Sequence, residues 1–170
     1  IYKTLKKKWS ADITYIHTEK DGWTYLASVE DLYSRKIIGW AFGKTMDAEL
    51  AKKALKNASL NIKKTKGIIL QTDLGSQYTS NIFEEYLAEL KIRHSYSRKG
   101  CPYDNSCIES FHSILKKEEV NLKKYKDFKE AYNAIFEFIE AWYNRERIHS
   151  CLNYKTPDEV HSEDEESFAA

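Results

Sequence analysis

GIILQT, residues 67–72, is the stretch that decides the fold class. It is a short apolar run, and it follows a segment, residues 47–59, in which Leu50, Ala54, Leu55 and Ala58 recur at helical spacing. A buried strand directly after a crossover helix is typical of a parallel strand in an α/β sheet. We therefore predict an α/β fold built around this strand.

The elements on either side of this stretch complete the predicted sheet. β-favouring residues upstream predict a three-stranded antiparallel meander over residues 9–16, 24–30 and 36–42. Downstream patterns predict a helix over 80–90, a strand over 92–96, helices over 105–119 and 128–145, and a helix starting at Pro157. The order predicts a mixed five-stranded sheet with helices on both faces, in which the fourth strand lies parallel to the first.

Length and composition indicate one packed domain. The chain has 170 residues, of which 42% are hydrophobic and 14% aromatic. No apolar stretch approaches the ~18 residues of a membrane span. The chain starts at Ile1, without an initiator Met or an apolar signal core, so we expect a piece of a longer, cytoplasmic protein.

Charge is distributed unevenly along the chain. The net charge is +1, but residues 161–170 carry four acids and no Lys or Arg, so residues 1–160 carry +5. A mildly basic body permits nucleic-acid binding without requiring it. We predict a catalytic core over residues 1–160 and an acidic, poorly ordered tail over residues 161–170.

The cysteines indicate reduced thiols. Cys101, Cys107 and Cys151 are odd in number and follow no disulfide framework, which favours an intracellular protein. Together with His112 and His149 they raise the alternative of a zinc site. The five residues between the first two cysteines exceed the usual two to four, so ordinary thiols are the better interpretation.

Three acids stand out by position. Asp12 lies inside the first predicted strand, Asp73 at the end of the fourth, and Glu109 early on a helix. If those strands are neighbours, a helix packed across them brings the three carboxylates together. Clustered carboxylates repel one another unless a cation such as Mg²⁺ lies between them, and two such ions can catalyse phosphodiester chemistry. The alternative is that the three acids form no common site: Asp12 is then an exposed edge-strand residue, Asp73 a turn residue and Glu109 a solvated helix residue.

Longer motifs surround these acids. They are WSADITYI (9–16), DLYSRKIIGW (31–40), TDLGSQYTS (72–80), SRKGCPYDNSCIESFHSILKKE (97–118) and YNRERIHSCLNYKTPDEV (143–160). Together they resemble the catalytic core of bacterial insertion-sequence transposases of the DDE class, those with a retroviral-integrase-like core. The resemblance runs from about Trp9 to Val160, and the 35 residues between Asp73 and Glu109 match that family's pattern.

The resemblance implies a fold and an activity. It implies an RNase H-like fold, with Asp12, Asp73 and Glu109 binding Mg²⁺ or Mn²⁺, in all two ions. It also implies DNA 3′-end nicking followed by strand transfer, and a homodimer or larger assembly when two element ends are joined. The upstream region that recognises those ends in the family is missing from this chain. Two alternatives stay open: a nuclease that cuts without joining, and a catalytically silent DNA-binding or assembly domain.

Basic side chains near the acids are candidate DNA contacts. Lys116 lies seven residues after Glu109, just under two helical turns, so both share a face. The family has a basic residue at this place. Arg98 and Lys99 form a basic loop before the same helix. We predict that all three cations contact DNA; the alternative is that they are solvated side chains, Lys116 within the charge run 116–119.

Two further motifs give DNA-contact candidates with a structural alternative. Gln77 and Tyr78 belong to the turn after Asp73, which either offers amides to phosphate or caps a helix. Arg147 and His149 belong to the family tail motif, and they either touch DNA or pack the last helix against the core.

Overall fold

The computed structural model describes residues 7–98 and 105–169. The strands are β1 (Lys8–Thr18), β2 (Gly22–Asp31), β3 (Ile37–Gly43), β4 (Ile69–Thr72) and β5 (Arg93–Tyr96). The helices are α1 (Ala48–Ser59), α2 (Ser76–Thr79), α3 (Asn81–Leu90), α4 (Ser106–Glu118), α5 (Phe128–Phe136) and α6 (Pro157–Ala169). A π-helical segment, Glu137–Tyr143, continues α5, and two 3₁₀ turns lie at Val120–Leu122 and Ser150–Leu152. No described helix is long and apolar enough to span a membrane.

One mixed sheet has the strand order β3-β2-β1-β4-β5. β1 and β2 pair antiparallel over their whole length, while β1 and β4 pair in parallel from Lys8↔Ile69 to Ser10↔Gln71. The predicted return of the fourth strand beside the first is confirmed, and with it the α/β class. Because β4 is short, it pairs with only the first residues of β1.

Two hydrophobic cores cover the two faces of the sheet. Successive side chains of a strand point to opposite faces, so Trp9 and Ala11 of β1 pack with α1 and α3, whereas Ile16 packs with α4 and α5. Each fully buried large apolar side chain contributes about 1.5–3 kcal/mol. The predicted helices on both faces are confirmed.

Side-chain caps fix where the helices begin. The Asp47 carboxylate accepts from Leu50 N at 2.9 Å and caps the start of α1. At α6, Thr156 N donates to the Glu159 carboxylate at 2.7 Å and Glu159 N donates to Thr156 Oγ1 at 3.3 Å, which is a capping box before Pro157.

The segment predicted as one long helix, residues 128–145, changes its winding. It is α-helical to Phe136 and then π-helical over Glu137–Tyr143. Phe138 and Tyr143 are both buried, and they lie five residues apart. One wider turn brings that spacing onto one face, which an α-helix would not.

The acidic segment 161–169 differs from the poorly ordered tail that we predict from sequence. It continues α6, and the helix crosses residue 160 without a break. His161 is buried with Nδ1 3.2 Å from Ser34 Oγ, and the Asp164 carboxylate lies 4.0 Å from the Lys7 ammonium. The capping box starts the helix, and the buried His161 side chain anchors its second turn.

β3 and α1 approach each other very closely at Gly39. A Cβ at this position would lie 2.6 Å from both the Ala54 carbonyl oxygen and the Ala58 Cα, which are backbone atoms that cannot move aside. The crossover helix therefore depends on a residue without a side chain.

We expect Gly39→Ala to lower the free energy of unfolding by about 1–3 kcal/mol, because the new methyl group forces α1 away from the sheet. Gly43→Ala is the matched control, since its Cβ would meet the movable Leu50 Cδ1 at 3.0 Å. Urea unfolding of both variants measures the difference. Equal losses in the two variants would contradict the close approach of the two backbones.

Candidate active site

Asp12 lies in the middle of β1, on the face covered by α4. Its Oδ1 accepts from Ile13 N at 2.9 Å, and its Oδ2 lies 3.7 Å from His112 Nδ1 on α4. The carboxylate is thus partly buried between the central strand and a helix, and the Ile13 amide holds it on the strand side.

Asp73 follows the last residue of β4. Continuing the parallel register Ser10↔Gln71 by two residues brings Asp73 level with Asp12. Asp73 is exposed, and its Oδ1 accepts from Gly75 N at 2.8 Å. The pairing of the two strands therefore sets the two aspartates side by side at the end of β4.

Glu109 lies in the first turn of α4 and is exposed. Ile108 and Phe111 on either side of it are fully buried, so the helix is pinned against the sheet while Glu109 faces outward from the core. The packing of α4 on β1 brings this third carboxylate to the same region.

The charges of the three carboxylates act on one another. Burial raises the pKa of Asp12 to about 6, the Ile13 N–H opposes this rise, and the negative charges of Asp73 and Glu109 add to it. The structure therefore brings together the three acids that the sequence predicts.

The chemistry of this donor set fits a hard divalent cation. All three donors are carboxylates, and a cation would offset the burial and mutual repulsion that raise the pKa of Asp12. As the side chains stand, no three His, Cys, Asp or Glu residues within 7–98 and 105–169 form a group that could hold a metal ion. Asp73 and Glu109 are both exposed, which leaves them free to change rotamer toward a shared ion.

The sequence matches two models of one protein family. Residues 5–102 match a family model described as "Integrase core domain", and residues 90–157 match a second model with the same description. The chain belongs to the integrase core domain family. The resemblance that the motifs predict is confirmed.

Curated relatives of this integrase core are transposases. It is 42% identical over 151 residues to the transposase for insertion sequence element IS904 of Lactococcus lactis subsp. lactis (strain IL1403), covering 89% of this chain and 59% of the relative. It is 40% identical over 153 residues to transposase InsF for insertion sequence IS3A of Escherichia coli (strain K12), covering 90% and 53%. The chain thus spans little more than half the length of these relatives.

Solved structures show the same fold. The HTLV-2 integrase catalytic core domain in complex with magnesium matches with a TM-score of 0.67 at 19% identity, covering 93% of this chain and 98% of that one. The catalytic core domain of BIV integrase matches with a TM-score of 0.68 at 17% identity, covering 96% and 98%. The RNase H-like, integrase-type fold that we predict is confirmed.

Lys116 of the integrase core extends along the same face of α4 toward β1. Its ammonium donates to the Tyr15 carbonyl oxygen and lies 4.9 Å from the centroid of the Tyr15 ring. Burial lowers the pKa of Lys116, and its charge contributes to the lowered pKa of His112, about 4, which is caused mainly by burial. The Lys116 ammonium therefore lies beside Tyr15, which is three residues after Asp12 on β1. Its contact with DNA stays a prediction.

The other candidates near Asp73 have different surroundings. Arg98 is exposed two residues after β5, and Lys99 lies outside the described residues. Gln77 is half-buried on α2, with its side-chain oxygen close to Gly75. DNA contact by Arg98, Lys99 and Gln77 stays a prediction.

The Tyr78 side chain lies in the core, and DNA contact at this residue stays a prediction. Its side chain is 2% exposed and packs edge-on against Phe83. Its backbone N–H donates to the Gly75 carbonyl oxygen at 3.0 Å. The turn after Asp73 leads into a short helix whose aromatic ring packs in the core, so any contact with phosphate at Tyr78 would have to come from its backbone.

The tail motif packs against the core. The Arg147 guanidinium makes a paired contact with the Glu118 carboxylate, with distances from 2.9 to 3.1 Å, and Trp142 Nε1 donates to the same carboxylate. His149 is buried edge-on to the Tyr143 ring, and burial lowers its pKa to about 4. The structure shows packing contacts for both side chains, Arg147 with Glu118 and His149 with Tyr143, and their contact with DNA stays a prediction.

Asn144 joins this motif to the sheet. Its side-chain oxygen accepts from Ile37 N and its side-chain nitrogen donates to Ile37 O, each at 3.0 Å, and it is buried. The first residue of β3 thus finds its backbone partners in a side chain 107 residues away.

One buried acid was missed by the sequence prediction. Glu30 on β2 is 1% exposed, and one of its oxygens has no hydrogen-bond partner among the described residues. Burial raises its pKa to about 8 against the opposing charge of Arg35. It lines a cavity of about 180 Å³ with Arg35, His149, Cys107 and Cys151. No signal in the sequence indicated this burial, because an acid near the end of a strand is ordinarily exposed.

We expect Asn144→Ala to lower the free energy of unfolding by about 2–4 kcal/mol, because it leaves a buried N–H and a buried C=O of Ile37 without partners. Asn133→Ala, at an exposed position on α5, is the control and should change stability by less than about 0.5 kcal/mol. Chemical denaturation measures both. A loss of under 0.5 kcal/mol for the Asn144 variant would refute this structural role.

Stability should fall as pH rises from about 4.5 to about 8 on account of Glu30. Its pKa is raised on folding, so the folded state holds a proton that the unfolded state releases in this range. Glu30→Gln removes this dependence and should be more stable than the parent chain at pH 8, with the advantage vanishing near pH 4.5. Thermal unfolding across this pH range tests it, and an advantage that is constant with pH would show that burial does not raise this pKa.

Proposed function

We propose that this integrase core catalyses metal-dependent DNA 3′-end nicking and strand transfer, as the catalytic part of an insertion-sequence transposase. The observation that carries the proposal is the partly buried Asp12 carboxylate on the central strand, in electrostatic contact with Asp73 and Glu109. The names of the curated relatives, transposases of insertion sequences, support the same activity.

Asp12, Asp73 and Glu109 are the proposed ligands of Mg²⁺ or Mn²⁺, in all two ions. When bound, such ions supply activation of the attacking oxygen and stabilisation of the leaving oxygen. The HTLV-2 integrase core, which shares this fold, is a magnesium complex. No covalent protein nucleophile is needed for this chemistry.

The proposed reaction has two steps with the same bond changes. In nicking, a water oxygen bonds to phosphorus, the phosphorus–O3′ bond breaks, and the strand end gains the proton as a free 3′-hydroxyl. In strand transfer, that hydroxyl bonds to a target phosphorus, loses its proton to solvent, and displaces a target O3′. The protein's part is to position the strand, and the Ile13 amide holds Asp12 for this task.

DNA is the proposed partner, both as element ends and as target. Joining two ends calls for at least a homodimer, and the HTLV-2 integrase core occurs in dimeric and trimeric forms. Since the chain spans little more than half of its curated relatives, we assign recognition of the element ends to sequence outside it. We place the reaction in the bacterial cytoplasm, on chromosomal DNA.

We expect Asp12→Asn and Glu109→Gln each to reduce strand transfer to background in Mg²⁺ or Mn²⁺, because each removes a proposed metal ligand. Ca²⁺ should bind without supporting the reaction. A second measurement is thermal unfolding: divalent cations should raise the melting temperature of the parent chain and not that of Asp12→Asn. Glu85→Gln, an exposed acid on α3, is the control for both measurements.

The substrate decides between the alternatives. With a pre-nicked end, a strand-transfer enzyme joins that end to target DNA, whereas a nuclease only cuts. A silent assembly domain does neither and yet binds DNA. Full activity in either variant, or cleavage by the parent chain in excess chelator, would refute the metal site.

A further inference from the structure

A groove of about 720 Å³ follows the open edge of β1, beside the candidate active site. β4 pairs with β1 only over Lys8–Ser10, so the later residues of β1 face the end of α4 and the 3₁₀ turn that follows it. The strand wall includes Tyr15 and Trp23, and the helix wall includes Lys116 and Lys124. The volume is in the range of ligand-binding pockets.

The strand wall presents aromatic rings to solvent. Tyr15 is 58% exposed and Trp23 is 53% exposed, and their rings meet edge-to-face with centroids 5.1 Å apart. His17, paired directly with Trp23 across the two strands, packs against the Trp23 ring at 5.0 Å. The paired strands hold these side chains in place while leaving about half of each large ring uncovered, and such patches mark interaction sites.

The facing wall is basic. The Lys116 ammonium lies over the Tyr15 ring and donates to the backbone at the same residue. Lys124 is exposed on the segment that closes the groove, and Lys123 beside it pairs with Glu119 at 3.1 Å. Exposed rings therefore stand directly next to cationic side chains.

Proteins bind single-stranded nucleic acid by combining aromatic rings with cationic side chains. A base stacks on an aromatic ring through its π face, and the phosphate of the same nucleotide is drawn to lysine. A base inside a duplex has both of its faces covered by its neighbours, so an exposed ring has nothing to stack on there. This combination favours an unpaired nucleotide over duplex DNA.

We propose that this groove binds an unpaired nucleotide of the DNA strand next to the reacting phosphodiester, with its base stacked on Trp23 beside the Tyr15 ring and its phosphate at Lys116 and Lys124. The inference rests on the proposed function, because it identifies the DNA from the neighbouring site. Tyr15 follows Asp12 by three residues, about 10 Å along the strand, and its side chain points to the opposite face, so the DNA strand would pass round the open edge of β1 over at least about three stacked base steps. The bound base therefore belongs to the first few nucleotides from the reacting bond.

The test measures binding without chemistry. The 170-residue chain is titrated, in excess chelator, into a fluorescent ten-nucleotide oligothymidylate and into a blunt duplex, at several salt concentrations. Trp23→Ala should weaken binding of the single strand about tenfold or more and binding of the duplex less than about twofold. It should leave the salt dependence unchanged, because stacking releases no counterions, whereas Lys124→Ala should lower the salt slope for the single strand by about 0.7.

Two variants control for loss of structure. Tyr33→Ala removes an aromatic side chain of similar exposure beyond the opposite end of the β1–β2 pair, and it should bind like the parent chain. Trp23→Phe keeps a ring and should recover most of the single-strand affinity. Thermal unfolding shows whether Trp23→Ala is folded at the temperature of the titration.

Three results would overturn the inference: parent-like binding by folded Trp23→Ala, an equal loss for single strand and duplex, or a change in self-association with DNA binding unaltered. The last would assign the rings to a contact between copies of the chain. Because binding is measured without metal, a chain that binds the single strand but never joins DNA would refute the proposed function alone. A chain that joins DNA while Trp23→Ala binds normally would refute this inference alone.

Discussion

The parallel pairing of β1 with β4 is the constraint on which the rest of the molecule depends. It sets Asp73, just beyond the end of one strand, level with Asp12 in the middle of the other. A parallel neighbour requires a crossover, and that crossover includes α1, packed so closely on β3 that Gly39 has no room for a side chain. The pair of aspartates thus depends on a helix contact on the opposite face of the sheet.

The pairing of β4 with β1 is short, and its length determines where the two aspartates lie. Since β4 covers only the first residues of β1, the carboxylate pair lies where the sheet stops rather than inside it. This is the place where α/β sheets hold their ligands, because side chains after the strand ends face solvent while the strands fix their positions. Burial of Asp12 and exposure of Asp73 and Glu109 follow directly, and they give one fixed and two adjustable carboxylates.

Sequence patterns predicted the elements and the acids well, and they failed where a role depends on long-range packing. Strand order, helix caps and the grouping of Asp12, Asp73 and Glu109 follow from periodicity and from the family motifs. The burial of Tyr78 did not, because a turn sequence does not say which of its side chains completes the core. The pairing of Arg147 with Glu118 joins residues 29 apart through a π-helical turn that no local pattern predicted. The helix start at Pro157 was predicted, but composition favoured a poorly ordered segment after residue 160, where the structure continues α6.

Charge is distributed along α4 in a way that suits a polyanion with one reacting bond. Glu109 stands at the start of the helix beside two aspartates, and Lys116 stands two turns later beside the aromatic groove. A phosphodiester strand laid along this face would meet carboxylates at one point and cations next to it. Carboxylates without a metal ion repel a polyanion, so under the proposed function the neighbouring lysine and rings would hold the strand while the ions offset the acids. Binding and chemistry are then separable along a single helix, because different side chains of α4 serve each.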